Sequence, residues 1–363
     1  MRRLKILIWH IHGSYLNALA RIEHDWYLPV KPGRPEGYGG RGATFDLPAA
    51  VREVPAARVR DLDLDLVIYQ TPKNWFEDRF EILSEAQRRL PSVYLEHNTP
   101  RPDAVHTRHP VDDPSVLLVH VTHYNRLMWD SGRTPTAVIE HSVAIDPAVR
   151  YTGRLPRGVV VANGLQRRRR IAGFDLFLQA REHVPLDAIG METEAFGGLG
   201  DVPYRALHRR VAEYRFVFSP MRYTSLPLAV IEAMTIGAPV VALATTALPT
   251  VIQDGVNGFV SCDLDELIDR MRFLLAHPEE AARLGAAARR TAQERFGLDR
   301  FRRDWNAAFA RVLGDAALTP SGTDPSPNRG RGERFGVSSP LAQPWERGLG
   351  GEGDPHLPER TDP

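Results

Sequence analysis

Cysteine and lysine are almost missing from this chain. Cys262 is the only cysteine among 363 residues, which excludes a disulfide framework and any cysteine-rich zinc or iron–sulfur site. Lys5, Lys31 and Lys73 are the only lysines, so every other fixed positive charge is an arginine. Long apolar runs are missing too: none approaches the roughly 18 residues that would span a membrane. The start, Met1-Arg2-Arg3-Leu4-Lys5-Ile6-Leu7-Ile8, lacks a small-residue cleavage site and reads as a buried first strand. A cytoplasmic protein is expected. Charge of one sign is also scarce, with 46 Lys+Arg against 45 Asp+Glu, so no net field selects nucleic acid or an anionic membrane as partner. Peripheral membrane contact stays open. What the chain has is arginine, whose planar, always charged fork suits phosphate and carboxylate.

A hydrophobic content of 43% is enough for real cores, and the length suggests about two domains. Apolar, β-rich runs at Leu4–Ile11, Leu64–Gln70, Ser92–Glu96, Val116–Thr122 and Ala137–Glu140 alternate with helical patterns at Trp75–Leu90 and Tyr124–Asp130. The scheme repeats with strands at Gly158–Ala162, Asp187–Gly190, Arg215–Ser219, Ala238–Ala244 and Gly258–Ser261. Helices are expected between and after them at Phe174–His183, Tyr204–Glu213, Pro227–Ile236 and Leu264–Leu275. Such runs indicate parallel strands buried on both faces, hence an α/β protein of two tandem doubly wound, Rossmann-like domains joined near Asp146–Arg157. Ligands of such sheets sit beyond the carboxyl ends of the strands, here in the cleft between the domains. Residues 315–363, rich in Pro, Gly and Ser, read as a disordered tail.

The stretch Ser219 to Ala242 reads strand, loop, helix, turn, strand. Thr224 or Ser225 is expected to cap the helix, with Pro227 in its first turn. A helix start facing a cleft offers N–H groups and a positive dipole end to phosphate. Glu232, about two turns in, is either a hydrogen-bonder to local backbone or the acceptor of a ribose diol; spacing alone leaves both readings standing.

Ser219-Pro220, Leu226-Pro227-Leu228, Glu232-Ala233-Met234 and Gly237-Ala238-Pro239-Val240-Val241-Ala242 together resemble the donor-binding signature of retaining, GT-B-fold glycosyltransferases of family 4 (group 1). Leu248-Pro249-Thr250-Val251 followed by Asp254-Gly255-Val256-Asn257-Gly258 continues the likeness, which is specific over about 45 residues. The resemblance implies that Glu232 binds the nucleotide ribose. It also implies an acceptor-side domain at 1–150, a nucleotide-sugar domain at 151–297, and a helix at 298–314 crossing back to the first domain. One position departs: Thr224, followed by Ser225, stands where the family usually has a second glutamate before glycine. Thr224, Ser225, Leu226 and Arg222 are therefore candidates to meet the donor's sugar and phosphates.

Three other places matter. Gly13 follows the first strand in His10-Ile11-His12-Gly13-Ser14; a glycine there lets a phosphate approach the backbone, and Ser14 can cap the next helix. By resemblance this is the family's glycine loop. His10 and His12 share a strand face, but no third metal ligand is near in sequence, so no metal is expected. His97 ends a strand of the first domain and is either a satisfied core histidine or, by resemblance, a hydrogen-bonder to the donor sugar; His120, His123 and His141 rank below it. Arg167-Arg168-Arg169-Arg170 lies between the first strand of the second domain and Gly173-Phe174-Asp175-Leu176, which matches the family's Gly-x-Asp-Leu. Ala172 stands where the family has a lysine, so Arg168 and Arg170 are the expected diphosphate binders. Without interleaved aromatics the run does not read as a nucleic-acid site.

The expectation is a retaining, metal-independent hexosyltransferase without a cofactor, using a nucleotide-diphosphate sugar and a glycan, lipid or small-molecule acceptor. The alternatives are a GT-B protein that binds nucleotide sugar or glycan without transfer, and a sugar-nucleotide epimerase.

Overall fold

The computed structural model describes residues 2–314; Met1 and the expected tail at 315–363 lie outside the described residues. Among them, no helix is long and apolar enough to cross a membrane. Two sheets are formed, and every strand pairing within them is parallel. The first has the order β3-β2-β1-β4-β5-β6-β7. Its strands are β1 (Lys5–Ile8), β2 (Asp25–Val30), β3 (Val51–Pro55), β4 (Leu66–Tyr69), β5 (Ser92–Glu96), β6 (Val116–His120) and β7 (Thr136–Val138). The second, of order β12-β11-β10-β8-β9, has β8 (Leu155–Val161), β9 (Leu186–Ile189), β10 (Tyr214–Ser219), β11 (Val240–Leu243) and β12 (Phe259–Ser261).

Alternation along the strands explains why the first sheet is buried on both faces. Ile6, Ile8, Leu66, Ile68, Val93 and Leu95 enter one core, while Leu7, Trp9, Val67, Tyr69 and Tyr94 enter another. The final helix, Leu298–Leu313, packs onto the first of these cores. Its Phe301, Trp305 and Phe309, spaced four apart on one helix face, are fully buried there. Trp305 Nε1 donates to the Tyr15 hydroxyl at 3.2 Å. Each such aromatic contributes about 1.5–3 kcal/mol by leaving water. The two chain crossings between the sheets are joined side by side: Ser142 Oγ donates to the Phe296 carbonyl at 2.7 Å, and Arg300 Nη2 to the His141 carbonyl at 2.6 Å.

Three expectations about elements need correction. β2 and β3 are additional strands. Asp25 and Pro29 obscure the first, but Pro29 lies past Tyr27, the last residue in register with β1, so its missing N–H costs no bond on that side. β3 is an edge strand whose Arg52 and Glu53 face solvent. The single helix expected over Trp75–Leu90 is instead a π-turn at Asn74–Asp78, a helix at Arg79–Ile82 and a 3-10 turn at Gln87–Arg89. Leu83 is extended, and Gln87 Oε1 takes the Ser84 N–H in place of a helical carbonyl. Finally, neither Thr224 nor Ser225 caps the helix Leu228–Ile236. Pro227, itself extended, holds the cap position without a side-chain bond, and Ser225 Oγ instead lies 3.4 Å from Thr122 Oγ1.

Candidate active site

The carboxyl ends of β1, β8 and β9 open into a cleft of about 750 Å³ between the sheets. Ile11, Gly13, Ser14 and Phe45 line it from the first domain; Asn163, Gly190, Tyr204 and Glu232 line it from the second. Gly13 opens the helix Gly13–Leu19, and a Cβ there would run into the Phe45 ring. His12, not Ser14, occupies the cap position of that helix. Ser14 is turned the other way, toward the second domain.

Glu232 is only 7% exposed and is held entirely by side chains. Its Oε1 accepts from Ser14 Oγ at 3.0 Å and from the Tyr204 hydroxyl at 3.1 Å. His208 Nε2 lies 3.5 Å from Oε2 without hydrogen-bond geometry. No local backbone amide binds the carboxylate, which removes the first of the two readings the spacing left standing. Tyr204 and His208 sit at i and i+4 on the helix Tyr204–Val211, with ring centroids 4.7 Å apart. Phe45 packs on Tyr204 at 4.5 Å, and Arg205 pairs with Asp46. These partners were not identified from sequence; the only signal was that the helix places two polar aromatics one turn apart.

His97, just past the end of β5, does not line this cleft but packs among first-domain side chains. Gln70 Nε2 donates to the Trp9 carbonyl at 2.7 Å, so Gln70 Oε1 faces His97 Nε2 at 3.0 Å and makes that nitrogen the donor. Nδ1 is then the lone-pair nitrogen of a neutral ring. Burial, with His12 and His141 beside it, holds His97 well below the usual histidine range. The His12 ring lies 4.0 Å from it and is pushed down to about 4 by burial. His10 instead meets the Gly40 carbonyl at 2.5 Å, so His10 and His12 diverge. The alternation that would pair them ends with β1 at Ile8.

The arginine loop divides by partner. Arg222 makes a two-pronged contact with Asp175 at 2.6 and 2.8 Å, and Arg170 Nη1 joins the same carboxylate at 3.0 Å. The Arg222 hydrogen bonds hold Asp175 below its usual range. Arg167 pairs with Glu192. Arg168 is half-buried and, among the described residues, has no acidic partner. Ser225 is buried, its Oγ 3.4 Å from Thr122 Oγ1, and Leu226 is packed in the second-domain core. Thr224 is half-buried, in the loop just ahead of the Leu228–Ile236 helix.

Known proteins resemble the chain in sequence over part of its length and in fold over most of it. Residues 194–291 match the family described as glycosyl transferases group 1. A D-inositol 3-phosphate glycosyltransferase from Xylanimonas cellulosilytica is 36% identical over 168 residues, 39% of this chain and 38% of the relative. A trehalose synthase from Pyrococcus horikoshii is 36% identical over 69 residues, 19% of this chain and 17% of that protein. The chain therefore spans well under half the length of both curated relatives. Among solved structures, sucrose-phosphate synthase from Thermosynechococcus elongatus superposes with a TM-score of 0.63 at 14% identity, covering 86% of this chain and 100% of the other. HepE from Anabaena in complex with UDP-glucose superposes with a TM-score of 0.60 at 17% identity, over 86% and 100%. The chain has the GT-B fold of these solved structures, and its residues 194–291 are similar to the group 1 glycosyl transferases.

Proposed function

We propose that the chain is a retaining hexosyltransferase of the family 4 type, acting in the cytoplasm on a nucleotide-diphosphate sugar and a glycan, lipid or small-molecule acceptor. One observation carries this reading. Glu232, in the segment that matches group 1, is a buried carboxylate on the wall of a nucleotide-sized cleft, oriented by neutral hydroxyls and not consumed by a cation in hydrogen-bond geometry. Such a group suits a ribose diol, which donates two hydrogen bonds.

In the proposed reaction the bond between the anomeric carbon and the diphosphate oxygen breaks as the acceptor oxygen bonds that carbon. The acceptor's proton leaves with the nucleoside diphosphate. Charge develops on the leaving diphosphate, and guanidinium groups aimed at it supply the largest stabilisation. Arg168 is suited to this because a half-buried cation without an acid gains most from an anionic ligand. Arg170 and Arg222, braced by Asp175, frame the same loop, and no metal cofactor is part of the scheme. His97 and Thr224 meet the donor sugar, Thr224 with a hydroxyl where the family resemblance leads one to expect an acid.

The test is incubation with a panel of nucleotide sugars, with and without acceptors, following nucleoside diphosphate release. Release that requires Glu232 supports transfer. Binding without release across the panel indicates the non-catalytic alternative, and conversion of the sugar without acceptor indicates an epimerase.

A further inference from the structure

The two acids that meet the arginine loop already have partners. Asp175 holds Arg170 and Arg222, and Glu192 holds Arg167. In the first domain, Asp103 accepts from the Val105 and His106 amides and contacts the His106 ring. Three arginines of these loops, Arg101, Arg168 and Arg169, are left over, and the first two matter here. Arg168, half-buried in the second domain, and Arg101, exposed in the first, make no ion pair or side-chain hydrogen bond among the described residues.

These two belong to loops that are tied together. The Tyr223 hydroxyl donates to the Pro100 carbonyl at 3.1 Å, immediately before Arg101. The Arg222 and Tyr223 amides donate to the Ile171 carbonyl at 3.0 and 3.3 Å, three residues after Arg168. The loop after β5 is thereby fastened against the arginine loop after β8. Burial lowers the Arg168 pKa, and the charges of Arg101 and Arg167 act in the same direction. A protein gains nothing by holding two unpaired cations together; a multiply charged anion between them turns repulsion into attraction on both sides. Arg169, with a φ of 46°, also lacks an acid, but unlike Arg101 it is not among the charges acting on Arg168.

We propose that Arg101 is a phosphate-binding residue supplied by the first domain, and that with Arg168 it grips the diphosphate of the bound nucleotide between the loop after β5 and the loop after β8. This rests on the nucleotide-sugar reading of the cleft and adds to it a residue from the acceptor-side domain. Two forks on one diphosphate also bias the site toward diphosphates over monophosphates.

The experiment is calorimetric titration of the full chain with inorganic pyrophosphate and, separately, inorganic phosphate, for the wild type, Arg101→Gln, Arg101→Lys and Arg168→Gln. Pyrophosphate should bind the wild type more tightly than phosphate. Arg101→Gln and Arg168→Gln should each weaken pyrophosphate about tenfold or more. Arg101→Lys should recover part of the loss, since it restores the charge without the fork. Full pyrophosphate affinity in Arg101→Gln, with loss in Arg168→Gln, overturns the two-sided grip and leaves the reading of the cleft intact. Unchanged affinity in both variants, or no pyrophosphate binding by the wild type, overturns the grip and the diphosphate role of Arg168 together.

Discussion

Ser14 Oγ donates to Glu232 Oε1 at 3.0 Å, joining the first helix of one domain to the central helix of the other across 218 residues of sequence. A hydrogen bond to a charged, mostly buried group contributes about 1.5–3 kcal/mol when its loss leaves the group short of a partner. Tyr204 still serves the same oxygen, so Ser14→Ala should sit at the lower end, about 1.5 kcal/mol. Urea unfolding checks this through a lower midpoint with an unchanged slope.

Tyr204 shares that oxygen and sets where the carboxylate points. Tyr204→Phe removes one donor and keeps the ring against Phe45 and His208. The prediction is a smaller preference for a nucleoside diphosphate over its 2′-deoxy analogue, by about threefold or more. A purely structural effect would weaken both ligands equally, so the ratio of dissociation constants decides.

Buried histidines make the fold acid-sensitive. Burial pushes His12 down to about 4 and both His120 and His141 to about 3. In the unfolded chain these rings titrate near 6.5. As pH falls below that value the unfolded state takes up protons that the folded state refuses, so stability declines, levelling only below the folded values. Calorimetry should show a lower Tm at pH 5 than at pH 7, and His12→Gln should flatten part of the slope. A profile that is level between these pH values contradicts the assignment.

Gly173 links two short helices with a φ of +76°, and a Cβ there would collide with the Pro220 carbonyl oxygen. Both strain and collision oppose a side chain. Gly173→Ala should cost about 2 kcal/mol in urea unfolding. It should also weaken nucleotide binding, because Pro220 begins the loop that leads to the Glu232 helix.

Much of this was legible from the residues. The apolar runs of β1, β4, β5, β6 and β10 announce themselves because both faces of a parallel sheet are dry. The likeness around Glu232 led to the cleft. What could not be read were relations set by tertiary contact. Nothing local tells Ser14 to leave its own helix cap for a carboxylate in another domain, or tells the 75–90 segment to break at Leu83. β2 was hidden by Asp25 and Pro29, whose tolerance depends on where pairing with β1 stops. Within the four-arginine run, only the acids at 175 and 192 distinguish the paired Arg167 and Arg170 from Arg168 and Arg169. Those acids meet the loop through folding; no spacing rule assigns them.

The central claim is that Glu232 anchors the ribose of a nucleotide-sugar donor. Its most direct test is calorimetric titration of the wild type and Glu232→Ala with the nucleoside diphosphate that most raises the wild-type Tm. The account predicts measurable binding by the wild type and a loss of about tenfold or more in the variant. Equal affinity in the two proteins would contradict it.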